Sequence, residues 1–382
     1  MTFKPFIKWA GGKENELPVI IKNLPHTIDR FIEPFVGGGA VYFNINIKES
    51  VINDKSEELI SLYRFIKEGN EIFFKYIDEL YKCWKLLDSI VANHNAALNK
   101  LYVSYRKNKD KGKLRDSITS FVLKNANEFD SLFETHFNIN LSNFIHEIQR
   151  NLTSKIQRMY KIENDRGKLD SSDDVIANIE TAFKSAFYMH FRYLYNHRLK
   201  LNINNEFSLA MFYFIREYCY SSMFRYNSSG HFNVPYGGMS YNHKDFSKKI
   251  EHIKSTGLKK YMEHTKIYNM DFEELFRQLN VSERDFIFLD PPYDTEFSSY
   301  VNNEFNKEDQ KCLADFLKGT QAKFMLIIKN TEFIRSLYSA EGLFISTFDK
   351  KYLVSFQNRN KKDTEHLLIT NYKTSVNIYK AH

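Results

Sequence analysis

The sequence predicts an α/β fold interrupted by a long, mainly helical insertion. Three observations carry that expectation. Residues 1 to about 66 read as strand, Gly-rich loop, helix, strand, acid, helix, the opening of an α/β nucleotide-binding sheet. From about 67 to 205 glycine nearly disappears and apolar residues recur at helical spacing. After about 240 the alternation of strands and helices returns, and a buried-looking strand, Asp285 to Leu289, runs into Asp290-Pro291-Pro292-Tyr293.

In the opening segment, Arg30 to Phe35 is the first strand with its exit, and Val36-Gly37-Gly38-Gly39 is the loop. A helix is expected over Ala40 to Ile47. Val51-Ile52-Asn53 forms a second strand ending at Asp54, and Leu59, Ile60, Leu62, Tyr63 and Ile66 mark the next helix. In the middle segment, Phe73, Ile77, Leu80, Trp84 and Leu87 alternate steps of four and three. Arg106 to Arg115 is a basic cluster, expected to be a solvated loop, with a phosphate contact as the sharper reading. Phe207 to Tyr220 reads as an apolar helix, and Arg225 to Gly238 is crowded with turn formers and aromatics. The returning strands are Lys266 to Tyr268, Phe286 to Leu289, Phe324 to Ile328, Leu343 to Thr347 and Leu367 to Asn371.

Composition sets outer bounds. The 382 residues allow two domains or one domain with a large insertion, and 43% hydrophobic content allows a sizeable core. A net charge of +7 and a pI of about 8.9 are compatible with a polyanionic partner without requiring one. Cys83, Cys219 and Cys312 are odd in number and form no CxxC pair, so neither a disulfide framework nor a zinc site is signalled, and reduced buried thiols are expected. The start, Met1-Thr2-Phe3-Lys4-Pro5, lacks the pattern of a signal peptide, and no apolar run approaches the roughly 20 residues of a membrane span. A cytoplasmic protein is expected.

Several motifs carry chemistry. In Lys8-Trp9-Ala10-Gly11-Gly12-Lys13 the glycines allow close backbone approach to a ligand, the lysines can meet a carboxylate, and Trp9 can wall a pocket; a surface turn is the plain alternative. Glu33-Pro34-Phe35-Val36-Gly37-Gly38-Gly39 sits between strand and helix, where backbone amides contact nucleotides. It lacks both GxGxxG spacing and a Gly-Lys-Ser/Thr ending, which argues against phosphate cradling. Asp54, at the end of the second strand, can bind ribose hydroxyls or cap the following helix, and both roles can hold together. A Gly loop without phosphate chemistry plus a ribose acid suits a nucleoside-type cofactor, and S-adenosylmethionine fits. Glu33 or Asp54 can attract its cationic end, and Lys8 or Lys13 its carboxylate. The Asp290 to Tyr293 stretch combines a carboxylate, a stiff carbonyl and an aromatic face, a set that suits a planar exocyclic amine.

At this point the chain resembles a known family. Lys8 to Lys13, Phe31 to Ala40, Tyr226-Asn227 with Phe232 to Gly237, and Asp290 to Tyr293 follow one another in an order similar to that of the Dam-type (D12 class, α-group) DNA adenine-N6 methyltransferases. Further similarity lies in Asp271-Phe272, Phe297 to Tyr300, Asp309-Gln310 with Leu313, and Glu365 to Tyr372. The resemblance covers roughly 1–66 and 207–372. Ser56 and Lys329-Asn330-Thr331 depart from the family pattern, and the insertion is much longer than in compact members.

The resemblance implies a Rossmann-like seven-stranded S-adenosylmethionine-dependent methyltransferase sheet, 1–66 with 240–382, and an inserted target-recognition domain, 67–239. It implies that Trp9, Ala10, Gly11, Lys13, Glu33, Phe35, Gly37 and Gly39 lie along the cofactor. Asp54 then holds the ribose, with Asp271 and Phe272 near the adenine. Asp290 and the Pro291 carbonyl accept hydrogen bonds from the target amine, and Tyr293 stacks on an extruded base. Arg225 reads guanine or clamps phosphate, Tyr226 and Asn227 fill the gap left by the base, and Asn233 and Tyr236 complete the DNA-reading hairpin. Within the insertion, Tyr188, His190, Tyr193, Tyr195, His197 and Arg198 form an aromatic-basic cluster, for which helix packing is the expected cause and DNA contact the alternative. Double-stranded DNA is the expected partner of a monomer, with a cognate restriction endonuclease as a further partner; no metal is called for. Cytosine N4 offers a similar amine to the same motif, and a catalytically silent DNA-binding regulator is the competing class.

Overall fold

The computed structural model describes residues 2–131, 139–167, 171–292, 305–351, 363–374 and 379–380. The chain divides into two compact units, Met1–Gly69 with Ile253–His382, and Asn70–His252. The first is built on strands β1 (Arg30–Glu33), β2 (Glu49–Asn53), β3 (Thr265–Tyr268), β4 (Asp285–Leu289), β5 (Lys323–Lys329), β6 (Phe344–Lys351), β7 (Asp363–Thr370) and the two-residue β8 (Tyr379–Lys380). Their order is β3-β2-β1-β4-β5-β7-β6-β8. The pairs from β3 through β5 are parallel, and β7 runs antiparallel between β5 and β6. The mixed seven-stranded sheet is therefore present, with β8 paired to β6 as a short addition.

Helices α1 (Leu17–Lys22) and α2 (Glu57–Glu68) precede the second unit, which holds α3 (Glu71–Asn93), α4 (Asn95–Asn108), α5 (Lys111–Lys124), α6 (Ala126–Ser131), α7 (Leu141–Arg166), α8 (Ser172–Asn196) and α9 (Asn205–Tyr218). Helix α10 (Ser247–Lys254) spans the return, and α11 (Thr256–Met262), α12 (Phe272–Gln278), α13 (Lys307–Gly319) and α14 (Glu332–Tyr338) alternate with the later strands. No helix among the described residues is long and apolar enough to cross a membrane.

Local sequence explains most of these elements. Every residue of β4 is buried, as a central parallel strand covered on both faces requires. Leu275 of α12, Leu313 and Leu317 of α13, and Ile334 of α14 close over Ile32, Ile287 and Leu326 in one apolar core. In α2, Ser56 caps the N-terminus through the Leu59 amide, and Leu59, Ile60, Leu62, Tyr63 and Ile66 face inward. In α3 the apolar stripe of Phe73, Ile77, Leu80, Trp84 and Leu87 is fully buried. Trp84 packs on Phe187, Phe214, Tyr218 and Tyr236. The Lys184 ammonium lies over its ring at 4.2 Å, paired with Asp88 at 2.6 Å.

Four expectations need correction. The helix over Ala40 to Ile47 is a single 3-10 turn, Tyr42–Asn44. The Tyr42 amide, which would have no intrahelical acceptor in a first turn, donates to the Glu33 carboxylate; Ile45 is already extended, and β2 begins at Glu49. The basic stretch from Arg106 is not a loop but the ends of α4 and α5, because Asp110 caps α5 through the Gly112 and Lys113 amides. Cys83 and Cys219 are buried, whereas Cys312 lies on the exposed side of α13. The segment from residue 240 to 252 packs with the helical unit, where Asn242 bonds Tyr236 and Thr181 and Phe246 packs on Tyr213 and Tyr218. In the aromatic-basic cluster, Tyr188, His190 and Tyr195 are buried in helix packing, and burial pushes the His190 imidazole down to about 3.

The strand order reverses direction between β1 and β4, which makes their carboxyl ends a crevice of the kind that binds ligands. At their amino ends Arg30 grips Asp285 with two 2.7 Å hydrogen bonds, Nε to Oδ1 and Nη2 to Oδ2. Asp285 is buried and Arg30 is 23% exposed, so solvent moderates the loss of the pair. Arg30→Met should therefore cost about 2 kcal/mol, less than for a fully buried pair, read as a lower urea midpoint at an unchanged slope.

Candidate active site

The crevice is assembled from both Gly-rich loops. Gly37 adopts φ +51°, and a Cβ there would approach Trp9 Cδ1 to 3.0 Å. A Cβ on Gly38 would come equally near the Ile7 carbonyl oxygen. The second loop thus lies directly on the first, and only hydrogen side chains permit it. Gly39 combines φ +75° with Tyr63 Oη 2.5 Å from its virtual Cβ, and Tyr63 in turn donates to the Gly37 carbonyl at 3.1 Å.

The acids are held by this loop. Asp54 Oδ2 accepts from the Gly37 amide and Oδ1 from the Ser56 amide, both at 3.0 Å. It is therefore a clasp between β2 and the loop, and Ser56 is the helix cap. Burial raises its carboxyl, partly offset by the Ser56 and Gly37 amides. Asn53 welds the neighbouring turns, donating to the Pro34 and Met270 carbonyls and accepting from the Met270 amide. Glu33 is buried, and burial first, then the charge of Asp290, pushes its carboxyl well above the usual range, against the Tyr42 amide and Lys13.

Asp290, directly after β4, forms an ion pair with the buried Lys13, whose ammonium also donates to the Gly11 carbonyl at 2.9 Å. Lys13 thus ties the first Gly loop to the Asp-Pro-Pro stretch. Beneath it, Gln310 of α13 is buried and donates to the Pro292 carbonyl at 3.4 Å. To the side, Phe35, Phe272 and Phe305 meet with ring centroids 5.4–5.6 Å apart. Asp271 caps α12 and pairs with exposed Lys55. Lys8, Ala10, Gly11 and Gly12 are exposed and Trp9 half-buried. Tyr293 and Phe297 to Tyr300 lie outside the described residues.

In the helical unit, Arg225 to Gly238 forms a hairpin with bridges Tyr226–Phe232 and Cys219–Tyr236. One face of α8 clamps its second leg: Tyr188 and Arg192 both donate to the Val234 carbonyl at 2.8 Å, and Asn196 bonds the Phe232 amide and carbonyl. Arg225 reaches across to the Asn233 carbonyl, and Asn233 is exposed. The Asn227 side-chain oxygen accepts from the Ser229 and His231 amides, so it holds its own turn. Tyr236 departs from the expected surface role: it is buried, with its hydroxyl on Asn242. It shares strand parity with buried Phe232 and Val234, a signal present in the sequence. Sequence reasoning missed the turn at the hairpin's base. Ser221 and Ser222 both have φ near +50°, held by Arg216 through the Ser222 and Met223 carbonyls and by the Tyr241 hydroxyl. Tyr220 and Met223, flanking this strained turn, are exposed.

The profile of the D12 class N6 adenine-specific DNA methyltransferases matches residues 9–161 and 136–355. The chain belongs to this family. This D12-class chain is 26% identical over 375 residues to the Type II methyltransferase M.CviBI of Paramecium bursaria Chlorella virus NC1A, covering 97% of this chain and 100% of that one. It is 27% identical over 391 residues to the Type II methyltransferase M.MjaIII of Methanocaldococcus jannaschii, with the same coverage. Over 353 residues it is 23% identical to the DNA adenine methylase of Haemophilus influenzae, covering 89% and 84% of the two chains. The family decides between the two amines in favour of adenine N6, and between enzyme and silent regulator in favour of the enzyme.

Glu33 makes a pH prediction. Its folded carboxyl titrates above its ordinary range, so the stability it allows is full below that range and is lost as pH rises through the raised value. Glu33→Gln keeps an acceptor for the Tyr42 amide but cannot ionise. Urea denaturation across pH should show the variant gaining on the wild type as pH climbs out of the ordinary carboxylate range, then levelling off.

Proposed function

We propose that this DNA adenine-N6 methyltransferase holds S-adenosylmethionine against the two Gly loops and grips the amine of a flipped adenine with Asp290 and the Pro291 carbonyl. The observation that carries the proposal is the Lys13–Asp290 ion pair, which sets a carboxylate at the end of β4 beside buried Glu33.

The residues present fit this cofactor. The buried acids Glu33 and Asp54 suit a cationic amino-acid end, Gly11 has no atom within 4 Å of a virtual Cβ, and the Phe35–Phe272–Phe305 cluster offers an apolar wall for an adenine ring. When bound, S-adenosylmethionine supplies an electrophilic methyl group on a positively charged sulfur. The chain does the rest by positioning and electrostatics. Adenine N6 is a weak nucleophile because its lone pair is delocalised into the ring. Acceptors at Asp290 and Pro291 on its two N–H groups favour a pyramidal nitrogen with a localised lone pair, and the N6 proton that leaves passes to Asp290. Lys13 offsets the negative charge of Asp290, which raises the neighbouring Glu33 carboxyl. A base inside a duplex cannot reach such a site and is taken out of the stack. Tyr293 provides the stacking face, while Arg225, Asn233 and the exposed Tyr220 turn face the duplex.

Mass analysis of nucleosides from duplex DNA treated with the protein and S-adenosylmethionine tests the reading, with N6-methyladenine expected. Methylated cytosine alone, or no methylated base, overturns it. Asp290→Asn and Asp290→Ala should each lower methyl transfer by about 10²–10³-fold or more, with cofactor binding by calorimetry largely kept; wild-type rates in both variants rule out the assigned role.

A further inference from the structure

The helical unit carries a charged corner that this chemistry does not use. Helices α4 and α5 meet at Lys109 and Asp110, and Lys107, Lys109, Lys111 and Lys113 are all exposed there. The acids closest in the chain and the packing are occupied. Asp110 accepts from the Gly112 and Lys113 amides at 2.9 and 3.1 Å, and its ion pair with Lys113 is stretched to 4.0 Å. Glu163 of α7 is buried and accepts from the Tyr102 hydroxyl and, at 3.3 Å, from Arg106. Among the described residues, Lys107, Lys109 and Lys111 have no carboxylate within ion-pair distance.

Backbone geometry makes the corner specific. Lys109 sits at φ 54°, ψ 18°, a left-handed helix end that ordinarily selects glycine or asparagine. Its ammonium lies 5.6 Å from the centroid of the Tyr160 ring, and Tyr160 packs edge-on against Tyr105 at 5.9 Å. A solvated loop accounts for charge alone. Here the lysines project from two capped helix ends, and one is seated on an aromatic pair.

We propose that this corner is a further duplex contact, which grips backbone phosphates and supplies affinity independent of sequence. The proposal rests on the DNA substrate assigned above. Lysine ammonium groups meet phosphate oxygens as point charges, such contacts position without reading bases, and each phosphate neutralised steepens the fall of log K with log salt by about 0.9.

Fluorescence anisotropy with a short unmethylated duplex, across a series of KCl concentrations, tests it. The K107Q/K109Q/K111Q/K113Q variant should bind more weakly and show a slope shallower by about 2–4. The corresponding Lys→Arg variant should keep the wild-type slope, and both should melt as the wild type does by circular dichroism. A wild-type slope and affinity in the Gln variant overturn the proposal, as does a loss of affinity for structured RNA with duplex binding untouched. If the wild type forms N6-methyladenine while the Gln variant keeps its slope, this inference alone falls. If the wild type neither binds nor methylates duplex DNA, the proposed function falls with it.

Discussion

The ion pair between Lys13 and Asp290 joins residues 277 positions apart and closes the catalytic unit. It forms only if β1 and β4 lie side by side, the first Gly loop folds over the second, and the chain returns after the whole insertion. Three carboxyl groups, Glu33, Asp54 and Asp290, lie at the carboxyl ends of adjacent strands, where the charges of Asp290 and Asp54 both raise the Glu33 carboxyl. Asp54 relies on loop amides, Glu33 on one amide and a raised affinity for its proton, and Asp290 on Lys13. The positive-φ glycines Gly37 and Gly39, the Asn53 weld and the Tyr63 strut all serve that arrangement. Burial raises the Glu33 and Asp54 carboxyls, and the Asp290 charge adds to the rise at Glu33.

Much of this was legible in the sequence because it depends on local rules. The apolar runs of β4 and β5, the four-and-three stripe of α3 and the inward residues of α2 follow directly from periodicity. The Gly loops, Asp54 and Asp290, separate in the sequence, come together at the carboxyl ends of β1, β2 and β4. What escaped was set by competition between local and distant partners. Over Ala40 to Ile47, β-branched and aromatic residues give weak helix preference, so the tertiary contact with Glu33 and the approach to β2 leave only one 3-10 turn. The contact of Trp9 with Gly37 and Gly38 is tertiary and has no sequence period. Tyr236 and Cys312 were misplaced although parity and helical spacing exclude both from the roles given them: Gln310, Leu313, Ala314 and Leu317 define the buried side of α13 without Cys312. The left-handed serines at the hairpin base could not be read, since serine rarely marks such a conformation.

The helical unit uses charge differently from the catalytic unit. Lys184 and Arg216 are buried cations whose burial lowers their proton affinity, and each is spent on shape: Lys184 on the Trp84 carbonyl and ring, Arg216 on the serine turn. Some of its surface cations, by contrast, are grouped where α4 ends and α5 begins. Packing therefore separates the cations that fix the fold from those left in solvent.

One small feature governs how the insertion is tolerated. Helix α2 ends at Gly69 in a left-handed conformation, and Lys259, just after the return, donates to the Glu68 carbonyl at 3.3 Å while lying 3.0 Å from where a Gly69 side chain would start. Departure and return are stapled within the same unit. With the gap already closed, lengthening the excursion adds only a logarithmic entropy cost. The sheet unit thus closes its own gap, and the length of the inserted sequence is only weakly constrained by the cost of closing it.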